Sequence, residues 1–73
     1  MAEYSVVLFQ SATHAIRAEK VLKQAGVQIK MIPTPRQLSS DCGMALRFNR
    51  AEESQVAGIL TRHQVPIYGI YPI

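Results

Sequence analysis

Four apolar runs alternate with two helical patterns along this chain, and their order is the feature that most restricts its fold. The first run, Tyr4 to Phe9, is β-branched and aromatic and is apolar on both faces, as is typical of a central strand. Gln28 to Ile32 alternates weakly before two prolines and predicts an edge strand. Met44 to Phe48 alternates clearly, and Ile67 to Ile73 is the last predicted strand.

The first helical pattern has Ala15, Ala18, Leu22 and Ala25 at the spacing of one apolar stripe, and it predicts a helix from about His14 to Ala25. Ser11 and Thr13 precede or open it as candidate N-caps, and Gly26 is suited to end it.

The second pattern predicts a helix from about Arg50 to Gln64. Asn49 is its expected N-cap, with Glu52 completing a capping box. Because His63 falls on the apolar stripe of this helix, we expect a partly buried structural histidine there.

The resulting order is β-α-β-β-α-β within 73 residues. At this length, two amphipathic helices are most simply buried on one face of a four-stranded antiparallel sheet. We therefore predict an α+β, ferredoxin-like single domain over residues 1–73 with the strand order 4-1-3-2. The open face of the sheet is expected to present Lys30 and Arg47 beside apolar side chains, and a second copy of the chain is a candidate partner there.

The composition excludes several classes of protein. A single cysteine cannot form an intrachain disulfide or a cysteine-only metal site, and no stretch approaches the length of a membrane span. The unpaired thiol and the absence of an export signal predict a cytoplasmic location without a membrane partner.

Common catalytic and binding motifs are also missing from the sequence. It has no Gly-rich phosphate loop, no nucleophile elbow and no paired carboxylates, so neither a cofactor nor a metal is expected. The net charge of +3 is spread along the chain, and Met44 to Phe48 lacks the aromatic pattern of RNA-binding strands. Nucleic acid is therefore not an expected partner.

The predicted topology brings three connections to one edge of the sheet. They are Gln10–His14, Pro33–Gly43 and His63–Pro66, and we call this end of the molecule the loop edge. The middle connection is longer than an ordinary hairpin loop. One helical turn is expected at its start, with Leu38 anchoring that turn on the core.

Cys42 lies on this long loop and has two interpretations. It is either a reactive thiolate or a small side chain that packs inward. Positive charge from His14, Arg36 and Arg47 would favour the thiolate, whereas Asp41 would oppose it. His14 is in turn either an acid or base for thiol chemistry or a first-turn residue with local hydrogen bonds. Gly43 would give the backbone freedom beside the thiol.

Three segments resemble a small bacterial family described as putative selenium/sulfur carrier protein-like. They are Ser11–Lys20, Ile32–Phe48 and Gly69–Tyr71. The resemblance implies a thiol that holds sulfur or selenium as a persulfide or selenosulfide and exchanges it with donor and acceptor proteins. Cys42 is the one position that matches this role. The supporting or binding candidates are His14, Thr13, Arg36, Ser39, Ser40, Gly43 and Arg47.

A non-catalytic carrier is thus the first hypothesis. The alternative is a small-ligand or protein-interaction module in which Cys42 is structural. A thiol enzyme that uses Cys42 with His14 ranks last, because no third residue is evident to orient the histidine.

The rate at which Cys42 is alkylated as a function of pH separates these hypotheses. For a carrier we expect fast alkylation near about pH 6, because a thiolate is then already present. A thiol that stays inert until roughly pH 8.5 behaves as an unperturbed cysteine and favours the structural role.

Overall fold

The computed structural model describes residues 3–38 and 43–73. Its strands and helices are β1 (Tyr4–Leu8), α1 (Ala12–Gln24), β2 (Ile29–Pro33), β3 (Met44–Asn49), α2 (Glu53–Arg62) and β4 (Gly69–Pro72). A short 3-10 turn, Arg50–Glu52, joins β3 to α2. The predicted order of elements is confirmed, with differences of a few residues at their ends.

The four strands form one antiparallel sheet in the order β2-β3-β1-β4. This is the predicted order, counted from the opposite edge. Strand β1 lies between β3 and β4, so that Val7 pairs with Leu46 on one side and with Ile70 on the other. The α+β class with two helices is therefore confirmed, and β2 is an edge strand as expected.

The larger core cluster combines one face of the sheet with the apolar stripes of both helices. Alternate strand residues supply Val7, Phe9, Leu46 and Phe48, and the helices supply Ala15, Ala18, Leu22, Val56, Ile59 and Leu60. Removing these side chains from water is the main favourable contribution to folding.

A smaller cluster lies on the opposite face of the sheet. Val6, Leu8 and Ala45 form it, and Ile32, Leu38 and Tyr71 pack against it. Leu38 therefore anchors the start of the long loop on this smaller cluster, away from the helices. As predicted, Lys30 and Arg47 alternate with these apolar residues on the same face.

Gly69 allows the ring of Tyr71 to lie across strand β4. A Cβ atom at Gly69 would lie 2.6 Å from the Tyr71 hydroxyl oxygen and 2.8 Å from two ring carbons. Only a residue without a side chain leaves this space for the ring.

Both helices end in the same Schellman arrangement. In α1 the amide of Val27 donates to the carbonyl of Leu22, and Gly26 has a φ of 83°. In α2 the amide of Val65 donates to the carbonyl of Leu60. In each case a valine beyond the turn returns to the core against the last apolar turn of the helix.

Three predictions about helix ends are wrong. Asn49 and Glu52 form no capping box, because the 3-10 turn precedes α2 and Asn49 makes no side-chain capping bond. His63 is exposed, because it is the C-cap residue of α2 and the chain turns away at Gln64. Ala25, predicted to lie on the apolar stripe, is the exposed C-cap of α1.

The turn after α2 offers a test of this description. Gln64 has a φ of 56° where α1 has glycine, so the left-handed conformation is strained at this position. We expect Gln64→Gly to raise the free energy of unfolding by about 1 kcal/mol and Gly26→Ala to lower it by about 1 kcal/mol. Urea denaturation measures both. A destabilised Gln64→Gly would contradict the assigned turn.

Candidate functional site

Two backbone hydrogen bonds order connections at the loop edge. The amide of Thr34 donates to the Gly43 carbonyl at 3.0 Å, which closes the base of the long loop. The amide of Tyr68 donates to the Leu8 carbonyl, which holds the connection from α2 to β4 against β1.

The two helices are joined at the same end of the molecule. Nη2 of Arg17 donates to the backbone carbonyl of His63 at 2.9 Å, where α2 ends. This bond satisfies a carbonyl that has no partner within its own helix. The side chain of His63 is exposed at this position, so it is accessible at the loop edge without being part of the core.

His14 lies in the first turn of α1 and is half-buried. Its backbone amide donates to Oγ of the N-cap residue Ser11 at 3.4 Å, so Ser11 is the cap and Thr13 lies within the helix. Nδ1 of His14 is buried and has no hydrogen-bond partner in the described part of the chain. A buried polar atom in this state costs about 1–3 kcal/mol, so a hydrogen-bonding group placed beside it would be stabilised.

The long loop begins with a single hydrogen-bonded turn. The amide of Leu38 donates to the Pro35 carbonyl at 2.9 Å, and Arg36 is exposed within this turn. At the place of the predicted helical turn, the chain forms a single hydrogen-bonded turn that is not part of any helix. Ser39, Ser40, Asp41 and Cys42 lie outside the described residues.

Gly43, at the other end of the loop, is exposed. A Cβ atom built there would meet no atom of the described residues within 4 Å.

Arg47 lies away from the other candidates. It is three residues beyond Met44 along β3, which corresponds to about 10 Å from the loop edge. Its guanidinium carbon is 4.3 Å from the centroid of the Tyr4 ring. The structure therefore groups His14 and Arg36 with the connections of the loop edge and places Arg47 toward the opposite end of the sheet.

Two open pockets lie at that opposite end, which we call the far edge, where β1 begins and β3 ends. One, of about 460 Å³, includes Tyr4, Lys30 and Arg47. The other, of about 650 Å³, includes the ion pair between Arg50 and Glu3. Sequence analysis missed both pockets. The available signal was the placement of Lys30 and Arg47 on one face of the sheet.

Neither a metal cluster nor a membrane helix is found in the described ranges. Over residues 3–38 and 43–73, no three His, Cys, Asp or Glu side chains are grouped closely enough to hold a metal ion. Within those same ranges, no helix combines the length and the apolar character needed to span a membrane.

Comparison with known proteins identifies the family. The family model described as "Putative Se/S carrier protein-like" matches residues 3–72. The chain belongs to this family. The matched region begins one residue before β1 and ends with β4. It therefore includes both the loop edge and the far edge. No curated protein and no solved structure matches the chain significantly.

The Ser11 cap positions the first turn of α1, and with it His14. We expect Ser11→Ala to lower the free energy of unfolding by about 1 kcal/mol, because an amide at the start of the helix loses its acceptor. Thr13→Ala is the matched control and should change stability by less than about 0.5 kcal/mol. Thermal or urea unfolding measures both, and equal losses would argue against the assigned cap.

Proposed function

We propose that this protein carries sulfur or selenium on Cys42, as a persulfide or selenosulfide, and delivers it to an acceptor protein. The observation that supports this proposal is the family match over residues 3–72. Because the chain has one cysteine, Cys42 is the one thiol that can serve. In the sequence Cys42 lies between β2 and β3, and connections between the strands of a rigid sheet are where binding and reactive groups often occur.

Loading is a thiol exchange without net oxidation. The Cys42 thiolate attacks the outer sulfur of a donor persulfide, R–S–SH. The bond between the two donor sulfurs breaks, and the donor leaves as the thiolate R–S⁻. A new bond joins the Cys42 sulfur to the transferred sulfur, so one S–S bond replaces another. A selenosulfide donor, R–S–SeH, reacts in the same way at selenium.

Delivery reverses this step on a second protein. A nucleophile of the acceptor attacks the outer sulfur or selenium, and Cys42 leaves as the thiolate. The protein therefore requires a donor and an acceptor and performs no net reaction itself, as expected of a carrier and not of an enzyme. A cytoplasm that keeps thiols reduced would preserve Cys42 for the next cycle.

Residues of the loop edge are proposed to support the loaded cysteine. Nδ1 of His14, which has no partner over residues 3–38 and 43–73, offers a hydrogen-bonding atom, and exposed Arg36 offers positive charge. Other candidates to support the loaded cysteine are chosen by their position in the sequence, in or near this loop. They are Thr13, Ser39, Ser40 and Gly43. We also infer that the whole chain is one ferredoxin-like domain, since the strand order and element order match that arrangement.

Mass spectrometry of the loaded protein tests the carrier function. After incubation with a cysteine desulfurase and cysteine, we expect the wild-type mass to rise by one sulfur atom. A thiol reductant should remove this addition. Cys42→Ser should gain nothing, because it leaves the chain without a thiol.

A displaced thiol provides the matched control. Lys20 is exposed on α1, so the double variant Cys42→Ser with Lys20→Cys retains one accessible cysteine at another place. We expect it to load at least about tenfold more slowly if the loop activates Cys42. Equal loading at both positions, or none on the wild type, would rule out the proposed function.

A further inference from the structure

Two basic side chains lie directly opposite each other on neighbouring strands. Lys30 of β2 and Arg47 of β3 are paired in register and project from the same face of the sheet. Like charges at such positions repel each other and destabilise the pair. A group that neutralises both charges would therefore be bound favourably.

Within the described part of the chain, no glutamate forms an ion pair with either cation, and Oε1 of Glu52 is buried there without a hydrogen-bond partner. Glu3 pairs with Arg50, Glu19 pairs with Lys23, Glu53 accepts a hydrogen bond from Ser5, and Glu52 lies in the neighbouring pocket. Over residues 3–38 and 43–73, neither Lys30 nor Arg47 has a carboxylate within ion-pair distance. Their charges are balanced by no acidic group of this region.

Arg47 is already held in place for binding. Its guanidinium carbon lies 4.3 Å from the centroid of the Tyr4 ring, and the residue is half-buried. Stacking on an aromatic ring restricts the guanidinium plane and leaves its N–H groups available at the edge. A ligand that uses these donors therefore loses less conformational entropy on binding.

Both cations line the smaller far-edge pocket, which is open to solvent. It has a volume of about 460 Å³, and its polar wall contains Tyr4, Lys23, Gln28, Lys30, Arg47 and Asn49. Among the described residues no carboxylate lines it, and its apolar lining residues are Val27, Ile29 and Phe48. The volume lies in the range of roughly 300–1,000 Å³ that is usual for small-molecule sites.

We propose that this pocket binds the phosphate group of a small phosphorylated molecule. A phosphate monoester carries a charge of about −1.5 to −2 at pH 7, which matches two opposed cations better than a single carboxylate does. The guanidinium of Arg47 binds two phosphate oxygens at once, and the ammonium group of Lys30 approaches from the neighbouring strand. The organic part of the ligand contacts the apolar wall.

This site is independent of the carrier function of Cys42. The loop that contains Cys42 joins the end of β2 to the start of β3, whereas the pocket lies where β2 begins and β3 ends. Sulfur loading of Lys30→Gln should therefore equal that of the wild type.

Titration of the full chain with inorganic phosphate and with phenyl phosphate, followed by amide chemical shifts in NMR spectra, tests the site. We expect saturable shifts at Gln28, Ile29 and Lys30 and at the facing end of β3. Phenyl phosphate should bind more tightly than phosphate, because its ring covers apolar surface. Lys30→Gln and Arg47→Gln should each weaken binding by about tenfold or more.

A charge-matched variant distinguishes a defined site from general attraction. Lys20→Gln removes the same charge from exposed surface outside the pocket and should leave the affinity within about twofold of the wild type. Because Lys30 is exposed, Lys30→Gln tests the site even if Arg47→Gln fails to fold. Shifts that do not saturate, or equal weakening by Lys20→Gln, would overturn the proposal. Tighter binding of a hexaglutamate peptide than of phenyl phosphate would also overturn it, and would indicate an acidic protein partner.

Discussion

The burial of β1 on both of its faces is the constraint on which the rest of this structure depends. Val7 and Phe9 face the helices, Val6 and Leu8 face the smaller cluster, and none of the four is more than 1% exposed. A strand buried in this way must have neighbours on both sides, which β3 and β4 supply. A slip of one residue would move Val7 and Phe9 to the face of the smaller cluster and Val6 and Leu8 to the face of the helices. The register of β1 is therefore strongly specified.

This central position also determines where chemistry is possible. With β1 between β3 and β4, the connections before α1, after β2 and after α2 all meet at the loop edge. The far edge, where β1 begins and β3 ends, carries different side chains. There Lys30 of β2 and Arg47 of β3 line an open pocket. The loop that contains Cys42 begins and ends at the loop edge, whereas the proposed phosphate site lies at the far edge, so we expect each to respond to substitution without the other.

Much of the fold follows from local pattern. The two-sided apolar run of β1 correctly predicted a central strand, and the alternation of β3 correctly predicted a strand there. The end of α1 was also predictable, because glycine at position 26 is a direct signal for a left-handed turn. The end of α2 was not, since Gln64 adopts the same conformation without such a signal. For this reason the helical pattern predicts His63 on the apolar stripe, although it is Val65 that returns to the core.

The candidate site, like the fold, was predictable from the sequence only in part. The sequence by itself determined the order of the elements, the central place of β1, the membership of the family and the identity of the one thiol. Only the tertiary structure decided that Nδ1 of His14 is buried without a partner among the described residues and that Lys30 stands directly opposite Arg47. The physical reason is the range of the interactions. Helical and strand periodicity arise between neighbours in the chain, whereas burial and strand register depend on residues that only folding brings together.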